Sequence, residues 1–226
     1  NNMALTENNK AEIKDRFLKC QSHEELVMLL NDVNTWRYDT KYWKQPQKKI
    51  TVKGLKYLLY SRKNFYISFE IPKKSGGLRK IKSPQRYLKM IQKLLGICFN
   101  ACFLPMPTAT GFIEGRSIVD NAMKHIGKKY VYNIDLENFF PSISFYRVRA
   151  VLAKVPPFKL NPQIANIVAN LLKAAQCWKI GYGIGVGLIS FQRHAASDGC
   201  HILFSNTSID ILIGKSICKV GEHPKA

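Results

Sequence analysis

The chain has 226 residues, 46% of them apolar, with 35 Lys and Arg against 15 Asp and Glu, a formal net charge of +20 and a pI near 9.8. That apolar content is ample for a core and excludes bulk disorder, and the length suits one large domain or two small ones. So large a cationic excess points first to nucleic acid and second to an anionic membrane surface, but apolar stretches such as residues 94–104 fall well short of the roughly 20 residues a membrane span needs.

Residues 10–31 predict a helix, with Leu26, Val27, Leu29 and Leu30 as its apolar stripe. Within it, Ser22 followed by Glu25 has capping-box spacing. Residues 34–49 are polar, aromatic and basic, and are expected to be loop. Thr51 caps a second, short helix to Tyr60, with Leu55, Leu58 and Leu59 on one face. The period then changes. Residues 64–71 favour a strand that Pro72 ends, Lys73-Lys74-Ser75-Gly76-Gly77 is a turn signal, and residues 78–82 alternate apolar and basic as a returning strand would. The product is a β-hairpin with a basic, glycine-containing tip.

Pro84 leads into a long helix over 85–102. Met90, Ile91, Leu94, Leu95, Cys98 and Phe99 share one of its faces, with basic residues opposite. Leu104-Pro105-Met106-Pro107 breaks it, residues 111–116 are loop, and Ser117 caps a helix to about residue 126. A strand then ends at Asp135. Residues 145–153 are helical until Pro156-Pro157, and Asn161-Pro162 starts another helix to about residue 175. From Cys177 onward the periodicity weakens, and no internal repeat is present. The expected fold class is α+β.

Between Ile71 and Leu95 lie Lys73, Lys74, Arg79, Lys80, Lys82, Arg86, Lys89 and Lys93, and no acid. Such a run suits phosphates, of a backbone or a triphosphate, or is simply a solvated basic hairpin. Gly76-Gly77 permits a tight turn or close approach of a ligand, but lacks the Gly-Lys-Ser/Thr ending of a P-loop. Asp135 closes an apolar strand. It can hold a hard metal ion, which takes oxygen ligands and neutralises phosphate charge, or it can cap a turn, and the local string leaves both open. Glu137 reads as an exposed acid. Phe139 and Phe140 are core residues by default, although one could floor a nucleotide pocket. His125 reads as structural and Ser117 as a helix cap without the partners of a nucleophile. Six cysteines, at 20, 98, 102, 177, 200 and 218, contain no Cys-x-x-Cys spacing. They are expected to be reduced thiols packed as small apolar residues. The first residues show no basic segment followed by an apolar run, so no signal peptide is expected and the expected location is cytoplasmic.

Four blocks in order carry a resemblance. Residues 69–81 (Phe69-Glu70-Ile71-Pro72 through Lys80-Ile81) precede Pro84 and Leu88-Lys89-Met90-Ile91-Gln92. Gly111-Phe112-Ile113-Glu114-Gly115-Arg116-Ser117-Ile118-Val119-Asp120-Asn121-Ala122 and His125 follow. The fourth is Asn133-Ile134-Asp135-Leu136-Glu137-Asn138-Phe139-Phe140-Pro141-Ser142-Ile143. Over residues 50–175 the chain resembles bacterial reverse transcriptases of the retron type, with group II intron enzymes as more distant relatives.

The resemblance implies a right-hand polymerase, incomplete here. Residues 1–50 would be an N-terminal helical region, 51–130 the fingers with the basic hairpin, 131–176 the first part of the palm, and 177–226 a divergent or out-of-frame tail. Arg79, with Lys73 or Lys74, would hold the incoming deoxynucleoside triphosphate, with Phe140 as the gate against a ribose 2′-hydroxyl. Asp135 would be the first catalytic aspartate, binding metal together with the backbone carbonyl of Leu136, and two Mg²⁺ ions would be the cofactors. Lys80, Lys82, Arg86, Lys89, Arg116 and Asn121 would contact an RNA template and a DNA or RNA primer. No membrane partner is expected, and no protein partner is implied.

The same resemblance implies two further landmarks, a Gln-Gly-x-x-x-Ser-Pro-like loop and a Tyr-x-Asp-Asp turn. Neither is in this sequence. After Phe140 the acids are Asp198, Asp210 and Glu222, and no Asp-Asp pair occurs. The chain alone is therefore expected to make little or no DNA. Codons can be chosen for residues 192–202 that, read one nucleotide later, spell Lys-Gly-Thr-Pro-Pro-Val-Thr-Ala-Ala-Ile, so a reading-frame slip would account for the missing loop. The rival reading is a non-catalytic RNA-binding module derived from a polymerase. Roles in phage defence or in intron mobility are not separated by the sequence.

Overall fold

A computed structural model describes residues 5–38, 48–73, 76–103, 115–127, 133–134, 143–172, 201–204 and 209–212, with the backbone alone at 79, 133–134, 201–204 and 209–212. In chain order the elements are α1 (Glu7–Lys19), α2 (His23–Tyr38), α3 (Val52–Tyr60), β1 (Tyr66–Pro72), β2 (Leu78–Pro84), α4 (Arg86–Cys102), α5 (Ile118–Met123), β3 (Asn133–Ile134), α6 (Phe145–Lys154), α7 (Pro162–Leu172), β4 (His201–Phe204) and β5 (Ile209–Leu212). The mixture of helices and antiparallel strands agrees with the α+β expectation. Among the described residues no helix is long and apolar enough to cross a membrane.

The chain divides into two compact units, Asn1–Leu104 with Phe139–Leu188, and Pro105–Asn138 with Ile189–Ala226. In the first, α4 is the central helix. Its Leu88, Ile91, Leu94, Leu95, Cys98, Phe99 and Cys102 are buried, while Met90 is only half-buried. Each large aliphatic or aromatic side chain so buried contributes about 1.5–3 kcal/mol relative to leaving it in water. Phe99 meets Phe17 of α1 edge-on at 5.7 Å and Phe158, beyond α6, at 5.6 Å. Such edge-to-face contacts let the positive rim of one ring meet the negative face of the next.

Two expectations need correction here. The helix expected over 10–31 is two helices. The Ser22 hydroxyl accepts from the Glu25 N–H at 3.1 Å, and the Glu25 carboxylate accepts from the Gln21 N–H at 2.8 Å. These side chains supply the donors' partners that a new helix start requires, so the chain breaks at Cys20-Gln21-Ser22 instead of running on. The loop expected over residues 34–49 does not start at 34, because α2 continues to Tyr38 with Val33 and Asn34 buried, and residues 39–47 lie outside the described residues. Core packing outweighs the weak helix preference of a polar stretch.

Asn31 then fixes where the chain returns. Its amide accepts from the Ile50 N–H at 2.8 Å and donates to the Ile50 carbonyl at 2.9 Å. Thr51 follows as the cap of α3, accepting from the Gly54 N–H at 3.0 Å. Gly54 sits where α3 comes close to the start of α4, since a Cβ there would lie 2.5 Å from the Tyr87 hydroxyl.

In the second unit, α5 begins with a capping box. Ser117 caps the Asp120 N–H, and the Asp120 carboxylate accepts from the Ser117 N–H and hydroxyl. The helix is shorter than the expected run to residue 126. It gives way to turns after Met123, with Gly127 at φ 72°. Strands β3, β5 and β4 pair antiparallel in that order, with Asn133 opposite Asp210 and Ile134 opposite Ile209.

Candidate nucleic-acid interface

Strands β1 and β2 form one antiparallel ladder from Tyr66↔Pro84 to Pro72↔Leu78. Its tip is a turn in which the Gly76 N–H donates to the Lys73 carbonyl at 3.1 Å and the Lys73 N–H to the Gly77 carbonyl at 3.0 Å. Gly76 and Gly77 have φ of 84° and 79°, a region that side chains disfavour, and a Cβ on either would meet nothing. The positive φ values are what this turn requires of its glycines.

Side chains alternate across such a ladder, so directly opposed residues share a face. One row holds Ile67, Phe69, Ile71 and Ile81, together with position 79. The other holds Ser68, Glu70, Lys80 and Lys82. The hairpin is thus two-sided. Lys80 and Lys82, expected at nucleic acid, occupy the opposite row from position 79, which was expected at the triphosphate. Apart from Ile81, which is half-buried, the apolar residues Ile67, Phe69, Ile71 and Leu78 are exposed.

The base of the hairpin is tied to α4. The Gln85 N–H donates to the Phe65 carbonyl at 2.7 Å, and Gln92 Nε2 donates to the Tyr66 hydroxyl at 2.7 Å and to the Leu171 carbonyl of α7 at 2.8 Å. Gln92 is 1% exposed, so these bonds are made away from water, where leaving the groups unpaired would be costly. Tyr57 of α3 packs its ring edge-on to Phe65 at 5.6 Å. The exposed strands therefore project from a fixed root.

Lys73, Lys80, Lys82, Arg86 and Lys89 are all exposed on this hairpin and the first turns of α4. Arg86 and Lys89 are three apart and line one side of the helix, opposite its buried face. The structure brings these five cations together in one unit. Arg116 and Asn121, both half-buried, belong to the other unit, at the start of α5. Lys74, Asp135, Leu136 and Phe140 lie outside the described residues, and Arg79 is described by its backbone only. Among the described residues no three His, Cys, Asp or Glu side chains gather as metal ligands.

Two cations outside the expected set also sit near the root. Lys48 lies over the Tyr87 ring at 5.5 Å and Lys63 over the Tyr57 ring at 5.8 Å. Hydrogen bonding to Lys63 draws the Tyr57 phenol below its ordinary value. No local motif marks either lysine; each is defined by an aromatic partner that only the fold supplies.

The titratable groups described elsewhere do not suggest a second centre. Cys20, Cys98 and Cys102 are buried free thiols, as expected for packed apolar residues. Burial pushes Cys20 up to about 11 and Cys102 up to about 12, and raises Cys98 as well. They are protonated and poorly nucleophilic at neutral pH. Asp120 is held below the usual carboxylate range by the Ser117 hydroxyl and N–H, as a cap should be.

Among curated proteins, the chain is similar to retron reverse transcriptases. It is 42% identical over 92 residues to the retron Mx65 reverse transcriptase of Myxococcus xanthus, covering 40% of this chain and 21% of that protein. It is 37% identical over 111 residues to the retron Mx162 reverse transcriptase of the same organism, covering 46% and 22%. With the retron Ec86 reverse transcriptase of Escherichia coli it shares 30% identity over 171 residues, covering 65% of this chain and 52% of that protein. The chain spans between about a fifth and about half the length of these relatives. No protein-family model matches it. The resemblance carried by the four sequence blocks is borne out by these relatives.

Proposed function

We propose that the chain forms the fingers and the first part of the palm of a retron-type RNA-directed DNA polymerase. The observation that carries this reading is the 30% identity across 171 residues to a retron reverse transcriptase. The exposed cations of the hairpin and α4 support it, because a primer-template and a triphosphate both present phosphates to such a surface.

In this reading Lys80, Lys82, Arg86 and Lys89, with Arg116 and Asn121, hold the template and primer. Lys73, Lys74 and Arg79 hold the triphosphate of the incoming deoxynucleotide, and the Phe140 ring excludes a ribose 2′-hydroxyl. Asp135 and the carbonyl of Leu136 are oxygen donors of the kind a hard cation takes, and would hold Mg²⁺. Two such ions, when bound, supply charge neutralisation on the phosphates and activation of the primer 3′-hydroxyl. The chain's own side chains bind and orient, which is most of what phosphoryl transfer asks of a protein.

One aspartate is too few for two ions, so this chain alone makes no DNA. The second reading, an RNA-binding module that never catalyses, is favoured by the absence of an Asp-Asp pair from the sequence. Primer extension separates the two. The assay compares this chain with the product of its coding DNA read in the shifted frame after residue 191. Synthesis by the shifted-frame product, lost on Asp135→Asn, supports the polymerase. RNA binding by both with synthesis by neither supports the binding module.

A further inference from the structure

The hairpin is not the only uncompensated cationic surface in the first unit. No Asp or Glu occurs between Glu137 and Asp198, whereas that stretch holds Arg147, Arg149, Lys154 and Lys159 within the described residues. Three of these lie on α6. Its inner side is fixed, with Val151 and Leu152 buried, Val148 packed against the core, and α7 alongside. Ser144 caps its first turn, accepting from the Arg147 N–H at 3.3 Å. The outer side carries Tyr146, Arg147, Arg149, Ala150 and Lys154, all exposed, with Tyr146 at 73%. Among the described residues none of the three cations has an ion-pair partner.

We propose that the outer face of α6, through Arg147, Arg149, Lys154 and Tyr146, is a second binding surface for single-stranded nucleic acid, separate from the hairpin. Arg147 and Lys154 are seven residues apart, about 10 Å along a helix axis, so the row can meet successive phosphates of one strand. Tyr146 stands three residues before Arg149 on the same side, and its edge-on contact with the Phe145 ring, at 5.4 Å, limits its freedom. A flat, exposed ring on a helix face that also carries Arg147 and Arg149 suits an unpaired base, which stacks on the ring while the arginines take its phosphates. A duplex, with its bases already stacked, would use the cations and leave the ring idle. An anionic membrane would also attract the cations, but the face offers little apolar surface to insert beyond Tyr146 and Ala150.

The inference rests on the nucleic-acid part of the proposed function but not on its polymerase chemistry. The test is fluorescence anisotropy of the whole chain with a labelled 20-nucleotide single-stranded RNA, and with DNA of the same sequence, across a salt series. Substitutions on the outer face leave the core intact, and circular dichroism checks this. Neutralising Arg147→Gln, Arg149→Gln and Lys154→Gln together should lower the slope of log affinity against log salt by about 2, from the ~0.7 per phosphate contact of single strands. Tyr146→Ala should weaken binding about tenfold or more with the slope unchanged. Loss with either oligonucleotide supports the surface and names its sugar. Unchanged affinity and slope in the triple variant, beside a weakened Lys80→Gln/Lys82→Gln hairpin variant, would leave nucleic-acid binding standing and overturn the α6 surface. No binding of either oligonucleotide by any form overturns it together with the nucleic-acid reading on which it rests.

Discussion

The first two helices and the hairpin with α4 are both rich in charge, yet they handle it differently. In α1 and α2 charges neutralise each other. Arg16 meets Glu12 at 3.0 Å and Asp32 at 2.7 Å, Lys19 meets Asp15 at 2.7 Å, and Lys10 meets Glu7 at 3.0 Å. Along the hairpin and the start of α4, Lys73, Lys80, Lys82, Arg86 and Lys89 stand exposed, and the one acid on the ladder, Glu70, faces Lys80 across the strands. Exposed pairs are worth little to stability, so the first arrangement is a way of carrying charge without projecting a field. The second leaves its field free for a ligand that brings its own negative charge. The +20 of the chain is therefore not spread evenly, and its uneven placement is more informative than its size.

The largest expected effect tests what the two regions share. Both pack on α4, so Phe99→Ala, which removes a ring touching Phe17 and Phe158, should cost about 3–5 kcal/mol in urea unfolding and weaken both together. Next comes the contrast itself. Neutralising Lys80, Lys82, Arg86 and Lys89 to Gln should cut the salt slope for single-stranded RNA by about 3. Neutralising Lys10, Arg16 and Lys19 of α1 should leave it unchanged; an equal fall in both would erase the distinction. Third, Gln92→Leu should destabilise the chain by about 1–3 kcal/mol, because the Leu171 carbonyl loses its buried donor. Hydrogen exchange of β1 should rise with it, while α1 and α2 change less.

The two smallest effects concern titration. Raised thiols favour the folded state while protonated, so their contribution is complete below the ordinary value near 9 and is lost as pH rises toward about 11 for Cys20 and about 12 for Cys102. Thermal unfolding followed from pH 8 to 11 should show falling stability, and Cys20→Ala should flatten part of that fall. Arg16→Gln, which opens the best-paired cation of α1, should cost under about 1 kcal/mol, less still at high salt.

Much of this fold was legible because local and tertiary preferences agree. Thr51, the Gly76-Gly77 turn and the apolar face of α4 each carry their signal within a few residues, and the elements form where those signals place them. The break at Cys20-Gln21-Ser22 was also written locally, in Ser22 and Glu25, but the apolar residues on either side suggest one continuous helix. The extension of α2 to Tyr38 depends on burial of Val33 and Asn34, which no local pattern announces. The two-sidedness of the hairpin follows from register, and register needs the pairing of the two strands. The cations of the candidate site were visible as a run in the sequence; that Lys80 and Lys82 face away from position 79 was not. Asp135, Leu136, Lys74 and Phe140 lie outside the described residues, so their part of the site rests on the sequence blocks alone.

Gln92 has one more consequence. A single amide, contributed from the middle of α4, holds Tyr66 at the root of the hairpin with one hydrogen and a carbonyl in the last turn of α7 with the other. Carbonyls in a last turn have no partner within their own helix, and this one finds its partner far upstream in the chain. The hairpin and α4 are thus not a portable cassette. Excised without α7, residues 51–103 would lose one of the two hydrogen bonds that Gln92 Nε2 donates, and a fragment meant to isolate the basic surface should run at least through Leu172.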